Sequence, residues 1–336
     1  MTNREVLTHA FLLRAGWGTA DRRFLAADSS TRRYDRLVRG AETAVLMDAP
    51  PPDAEDPALF LAIADYLAGC GLSAPRCLAK DLPNGFLLLE DLGDGIFARL
   101  VEADPTLERP LYQLATQVLL HLQRQVPPPG LANLSAGDWA DAATFALDWY
   151  RFGITGERCE AGAFKDTLTT ALQRYADGPR IMILRDYHAE NLLWLPDRQG
   201  LAQVGILDFQ LAQLGQPGYD LVSLLQDARR DVSLATEAEM IRYFVEFGGY
   251  AEASFSAAYA ALGVQRALRI IGIFARLCMN GGKPGYLQKI PRVWGQLWRN
   301  LAAPELSEMA DLCRALLPEP TPENLAKIGA QCGHFP

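Results

Sequence analysis

Three short apolar runs, IMIL at 181–184, NLLWL at 191–195 and AQVGILDF at 202–209, interrupt a region whose apolar residues otherwise recur at helical spacing. Such runs are too short for buried helices and read as strands. The turn residues PDRQG at 196–200 fold the last two against each other. That hairpin brings Asp208, at the end of one run, back beside Asn191 at the start of the other. A chain that places strands within helices, with Arg185, Asp186, His188, Asn191 and Asp208 at their ends, is a mixed α+β protein built around a polar loop.

The remaining patterning separates two parts. Residues 3–15 read as an amphipathic helix stopped by Gly16. RRFLAA, RYDRLVRG and ETAVLMDA then read as strands, the last two a hairpin turning near Gly40 and Ala41. After the Pro-rich connector APPPDAEDP, LFLAIADYLAGCGL is helical, and PRCLAKDLPNGFLLLEDLG holds two more strands. The division expected is therefore 1–92, a small sheet with one main helix, and 93–336, mostly helical. In the second part Leu111, Leu114, Ala115, Val118, Leu119 and Leu122 mark a helix buried on one face. Asp220, ahead of LVSLLQDA, is placed as a helix N-cap. At 336 residues, two lobes are the ordinary outcome.

A net charge of −8, with arginine pairs only at 22–23, 32–33 and 229–230, argues against nucleic acid as a partner. The six scattered cysteines form no CxxC pair, which favours thiols in a reducing compartment. The N-terminus lacks a long apolar leader and no run approaches transmembrane length, so the expectation is a cytoplasmic protein without a membrane partner.

The polar loop carries chemistry through the order R-D-x-x-x-x-N, hairpin, D-F-x. Phosphoryl transfer needs a carboxylate to orient and deprotonate a hydroxyl and hard oxygen donors for Mg²⁺. Asp186, Asn191 and Asp208 supply those types in that order. A D-x-x-x-x-N match alone is commonly turn chemistry. All three at strand ends, behind a β-rich first part, are a much rarer combination.

These residues resemble the aminoglycoside phosphotransferase and choline-kinase group of protein-kinase-like small-molecule kinases. Within it the chain is most similar to the bacterial sugar kinases that phosphorylate N-acetylmuramate and N-acetylglucosamine at C1. The likeness runs through ADSSTRRYDRL, VLMDAPP, FLLLEDLGD, DWY, LRDYHAENLLWLP, LDFQ, YDLVSLLQDARRDV and RALRIIGIFARL. It implies an α+β, protein-kinase-like bilobal fold with a β-rich N-lobe and a helical C-lobe. ATP and Mg²⁺ are the implied cosubstrate and ion. Asp186 becomes the catalytic base, Asn191 and Asp208 the magnesium ligands, and main-chain groups of Glu90 and Leu92 the adenine contacts, with a solvated turn at Glu90–Asp91 the alternative. His188 is read as a structural hydrogen bond within the loop rather than a catalyst. Arg185 pairs with a carboxylate or carbonyl to hold the loop, and Asp220 stays a cap rather than a metal ligand.

The chain departs from that pattern in three places. Met47 stands where such kinases carry a strand-three lysine, and no lysine precedes Lys80. The helix at 59–68 offers only Asp65 where a glutamate would pair with it. Losing both members together avoids an unpaired buried charge. Arg33 and Arg36 are the candidates to meet phosphate instead, or else are solvated strand residues. The phosphate loop contains no glycine and relies on main-chain groups and hydroxyls of Ser29, Ser30 and Thr31. Finally, Leu211 occupies a position where a further acid is common in the group.

For the acceptor, Asp148, Trp149 and Tyr150 combine an aromatic face with a carboxylate, suited to a sugar, or they pack as a helix end. Arg266, Arg269 and Arg276 share one helix face and would receive a substrate carboxylate or pair with neighbouring acids. That face argues against a polycationic aminoglycoside and ranks an amino sugar first. An aminoglycoside or small-alcohol kinase, and a nucleotide-binding pseudoenzyme, are the alternatives.

Overall fold

A computed structural model describes residues 3–27, 32–52, 54 and 56–335. Ser29, Ser30 and Thr31 lie outside the described residues. The chain forms two compact units: Met1–Leu107 with Ala189–Ala212, and Glu108–His188 with Gln213–Pro336. The first unit thus continues past residue 92 and takes back a later segment.

The first unit is built on a five-stranded antiparallel sheet of order β1-β2-β3-β5-β4. Its strands are β1 (Asp21–Ala27), β2 (Arg33–Arg39), β3 (Glu42–Asp48), β4 (Cys77–Asp81) and β5 (Phe86–Glu90). Helix α1 (Asn3–Arg14) lays Phe11 and Leu12 on Leu37, Leu46, Phe86 and Leu88 of the sheet. Each such buried Leu or Phe contributes about 1.5–3 kcal/mol. Helix α2 (Pro57–Gly69) begins where the connector ends, with the Asp56 side chain accepting from the Ala58 N–H and Pro57 in the first turn. After β5 the chain enters α3 (Phe97–Ala103).

The 189–212 segment completes this unit with a hairpin of β7 (Leu192–Trp194) and β8 (Val204–Ile206), following β6 (Ile181–Ile183) of the other unit. The hairpin is tied in by Ser73 Oγ donating to the Ala202 carbonyl (2.6 Å) and by Ile206 N donating to Ser73 O (2.8 Å). Trp194 N also donates to Gly95 O (2.7 Å). A Cβ at Gly95 would lie 2.6 Å from the Trp194 carbonyl oxygen, so this approach requires glycine.

The second unit is mostly helical: α4 (Glu108–Leu122), α5 (Ala136–Ala143), α6 (Phe152–Thr155), α7 (Gly162–Ala171), α8 (Tyr219–Leu225), α9 (Leu234–Gly248), α10 (Glu252–Met279), α11 (Ile290–Leu301), α12 (Ser307–Leu316) and α13 (Pro322–Gly329). Its axis is α10, 28 residues long and largely buried. By length and composition this helix could cross a membrane, contrary to the sequence expectation, but most of its apolar surface is covered by this unit. Gly272 lets it press against the main chain at Phe145, where a Cβ would meet the Phe145 carbonyl carbon at 2.2 Å. Strand β6 pairs with β9 (Gln213–Gly215), a short strand that hydropathy did not reveal.

Candidate active site

In the first unit, apolar side chains of β1, β2 and β3 (Leu25, Tyr34, Val45) and of the later hairpin region (Leu193, Leu207) line a cavity of about 350 Å³. The segment after β5 contributes Asp91, Leu92 and Asp94, and Asn191 and Asp208 add polar lining. The hairpin pairing reaches these two through Leu207 N donating to Asn191 O (2.9 Å). Asn191 Nδ2 lies 3.4 Å from Asp208 Oδ2, and Gln210 Nε2 donates to Asp208 Oδ1 (2.8 Å). Asp208 takes a left-handed backbone (φ 57°), a conformation aspartate tolerates better than most residues. The next residue, Phe209, is fully buried against Phe60 of α2 with ring centroids 4.8 Å apart, which anchors the turn.

One amide oxygen and one carboxylate on adjoining strands are hard donors of the kind that hold Mg²⁺ when phosphates complete its shell. Rotating the Asn191 amide exchanges its nitrogen for its oxygen at no backbone cost. Among the described residues no cluster of three or more His, Cys, Asp or Glu offers an all-protein metal cage. The donors present therefore fit magnesium.

Asp186 belongs to the second unit, on the loop that follows β6. The loop is held by its main chain. Asp220 accepts from Leu184 N (2.6 Å) and Arg185 N (2.9 Å), and Ser223 Oγ donates to Arg185 O (3.1 Å). Arg266 in turn donates to Ser223 Oγ (2.8 Å) and Gln226 O (3.2 Å). Arg185 adopts φ 71°, costly for a non-glycine residue, and these bonds on either side fix it. Burial raises the Asp220 carboxyl to about 7, against the two N–H donors, and the neighbouring Asp186 charge adds to the rise. Tyr187 is buried, its hydroxyl donating to Ala115 O (3.0 Å). His188 is buried too, its Nε2 facing Arg229 Nη1 at 2.9 Å. Burial first, then Arg229, Arg266 and Lys289, press its pKa well below the usual histidine value, so the ring is neutral and Nε2 accepts.

Several expectations change on this geometry. Asp220 is not the cap of α8: Gly218 takes that position without a side-chain bond, and the Asp220 carboxylate reaches back to the loop. A lone helix-start pattern cannot distinguish the two. The loop is held by the backbone of Arg185, and among the described residues its buried Nε meets no hydrogen-bond partner. Arg33 leaves the phosphate set, since its guanidinium pairs with Asp35 (3.0 Å) and lies over the Phe24 ring. Arg36 does line the cavity, bound to Asp91 (2.7 Å) and Asp94 (2.9 Å). The Asp91 side chain is therefore covered by this pairing rather than solvated.

Glu90 is also engaged, with Arg76 at 3.1 Å and Arg198 at 2.8 Å. Burial opposes its charge, but the hydrogen bonds from Arg76 and the nearby Arg198 prevail and hold its carboxyl below the usual range. Of the acceptor candidates, Tyr150 is fully buried, its hydroxyl donating to Pro318 O (2.6 Å). Arg266 is buried in the network just described. Neither side chain is available to a sugar. Asp148, Trp149 and Arg269 are half-buried, and exposed Arg276 lies 6.0 Å from the Trp149 ring. The arginine that sequence reasoning missed is Arg32, 4% exposed, whose Nη2 is 3.9 Å from Asp208 Oδ1. Only burial distinguishes it from Arg33.

The profile of the phosphotransferase enzyme family matches residues 21–256, and the chain belongs to that family. It is a small-molecule kinase. It is 38% identical to an N-acetylmuramate/N-acetylglucosamine kinase of Caulobacter vibrioides, over 92% of this chain and 95% of the relative. Among solved structures it resembles a choline/ethanolamine kinase family protein from Mesorhizobium loti, with TM-score 0.60, 15% identity, and 97% and 99% of the two chains covered. It also resembles an aminoglycoside phosphotransferase solved as a ternary complex with AMP-PNP and hygromycin B, with TM-score 0.60, 14% identity, and 88% and 99% covered. These likenesses fix the fold as α+β and protein-kinase-like, a β-sheet N-lobe and a helical C-lobe.

Proposed function

We propose that this kinase uses ATP and Mg²⁺ to phosphorylate an amino sugar, N-acetylmuramate or N-acetylglucosamine, at the C1 hydroxyl. The observation that carries the nucleotide half is the apolar cavity of the first unit, which Asn191 and Asp208 help to line. The complex with AMP-PNP, an ATP analogue, formed by a protein of the same fold supports it. The choice of acceptor rests on the name of the Caulobacter relative.

In this reading the adenine ring lies between the apolar residues of the cavity. The Glu90 N–H is committed to the Arg76 carbonyl (2.8 Å), so the Glu90 carbonyl and the Leu92 N–H are its main-chain partners. Asn191 and Asp208 hold the magnesium, which when bound neutralises phosphate charge. Asp186 accepts the proton of the sugar hydroxyl as that oxygen bonds to the γ-phosphorus and the bond to the β-phosphate oxygen breaks. Asp220, Ser223 and Arg266 keep the Asp186 loop in place, and His188 braces it on Arg229. Asp148, Trp149 and Arg269 remain the acceptor-facing candidates. Six cysteines outside any disulfide support a cytoplasmic setting.

The test is a panel of amino sugars and aminoglycosides with ATP, products read by ³¹P NMR. An anomeric phosphate on N-acetylmuramate or N-acetylglucosamine is expected, with Asp186→Ala slowing its formation by ~10²–10⁴. Phosphate transfer to aminoglycosides alone would overturn the acceptor.

A further inference from the structure

The cavity of the first unit lacks the lysine that a kinase uses on its phosphates, and its replacement can be located. Met47 fills that strand position and is buried. Its cross-strand partner is Tyr34 of β2, which lines the cavity, as does Arg36 two residues on. Strand alternation puts residues 34 and 36 on one face and 33 and 35 on the other. Arg33 and Asp35 accordingly pair with each other. Arg32, immediately before β2, is buried and approaches Asp208, which lines the cavity.

Arg32 and Arg36 are four residues apart, roughly 13 Å along an extended strand. They meet different acids of the cavity wall. Arg36 is bound to Asp91 and Asp94, in the segment that follows β5. Arg32 is at Asp208, 3.9 Å from its carboxylate. A guanidinium buried to this degree is retained where an anion compensates it, and its planar fork suits phosphate oxygens better than a lysine ammonium does.

Resting on the nucleotide reading above, we infer that Arg32 is the phosphate-binding cation of this kinase, in place of the strand-three lysine. Arg36 instead clasps β2 to the segment that receives the nucleoside. The prediction is a division of affinity: Arg32 acts on ATP through its phosphates, and Arg36 acts on anything that carries adenosine.

Calorimetric titration of the full-length protein with ATP, ADP and adenosine tests this. Arg32→Gln is expected to weaken ATP binding by about 10- to 100-fold, ADP less, and adenosine not at all. Arg36→Gln is expected to weaken all three by a similar factor. Unchanged adenosine affinity reports that the variant is folded. If Arg32→Gln does not fold, Arg32→Lys decides, because a point-charge donor still lowers the ratio of ATP to adenosine affinity. A ratio equal to wild type in the folded variant overturns the assignment. Wild-type protein that binds neither ATP nor adenosine would instead sink the nucleotide reading itself.

Discussion

Among the described residues two that are not glycine hold left-handed backbones, Arg185 in the second unit and Asp208 in the first, and they are stabilised in opposite ways. Around Arg185 the restraints are buried: Asp220 is 3% exposed and Ser223 fully covered, and both bind main-chain groups. Around Asp208 the backbone is fixed by an apolar anchor, Phe209 on Phe60, while the carboxylate stays 37% exposed. The first arrangement spends an acid on holding a loop. The second leaves an acid accessible to a ligand. Acids proposed to touch substrate and acids that hold others in place are thus separated by burial, although all are aspartates near strand or helix ends.

The largest effect that could break this contrast comes from comparing Asp186→Ala with Asp220→Ala. Asp186→Ala is expected to remove most of the rate and leave the melting temperature near wild type. Asp220→Ala is expected to lower both, because each buried N–H left without an acceptor costs about 1–3 kcal/mol. Equal melting temperatures for the two variants, by differential scanning calorimetry, would erase the distinction.

A smaller effect is readable in pH. Asp220 titrates near 7 when folded and about 4 when unfolded, so between those values the folded state binds more protons. Its contribution to stability is full below pH 4 and is lost as pH rises toward 7. Denaturation across this range is therefore expected to show a downward component in wild type that Asp220→Asn lacks. Matching pH profiles for the two proteins would refute the raised carboxyl.

The smallest effect sharpens the acceptor side. Tyr150→Phe removes one buried hydrogen bond and is expected to cost about 1 kcal/mol while leaving the KM for the sugar unchanged. A raised KM with unchanged stability would return Tyr150 to the acceptor site.

The strands β1–β5, helix α2 and the Asp186–Asn191–Asp208 order were legible because each is a local pattern: alternation, an apolar run after a Pro-rich connector, a hairpin turn. Strand β9 was not, since Gln213–Gly215 is three residues long and becomes a strand only by pairing with Ile181–Ile183. The role of Asp220 depends on a partner 36 residues away in sequence, which no local pattern encodes. Burial of Arg266 and Tyr150 follows from how α10 and the π-helical segment Ala146–Arg151 pack, a tertiary property. The arginines were half legible. Arg33 and Arg36 are three apart on one strand and cannot share a face. Choosing between Arg32 and Arg33 needed their burial, which the sequence does not show.

The discontinuous first unit carries a consequence for biosynthesis. Residues 108–188 belong to the second unit, yet the β7–β8 hairpin that supplies partners to Ser73 and Gly95 is made only after them. While the chain is being translated, the five-stranded sheet has all its strands by residue 90, but the first unit stays incomplete until residue 212 has emerged. A fragment cut after Leu107 would lack that hairpin and both proposed magnesium ligands.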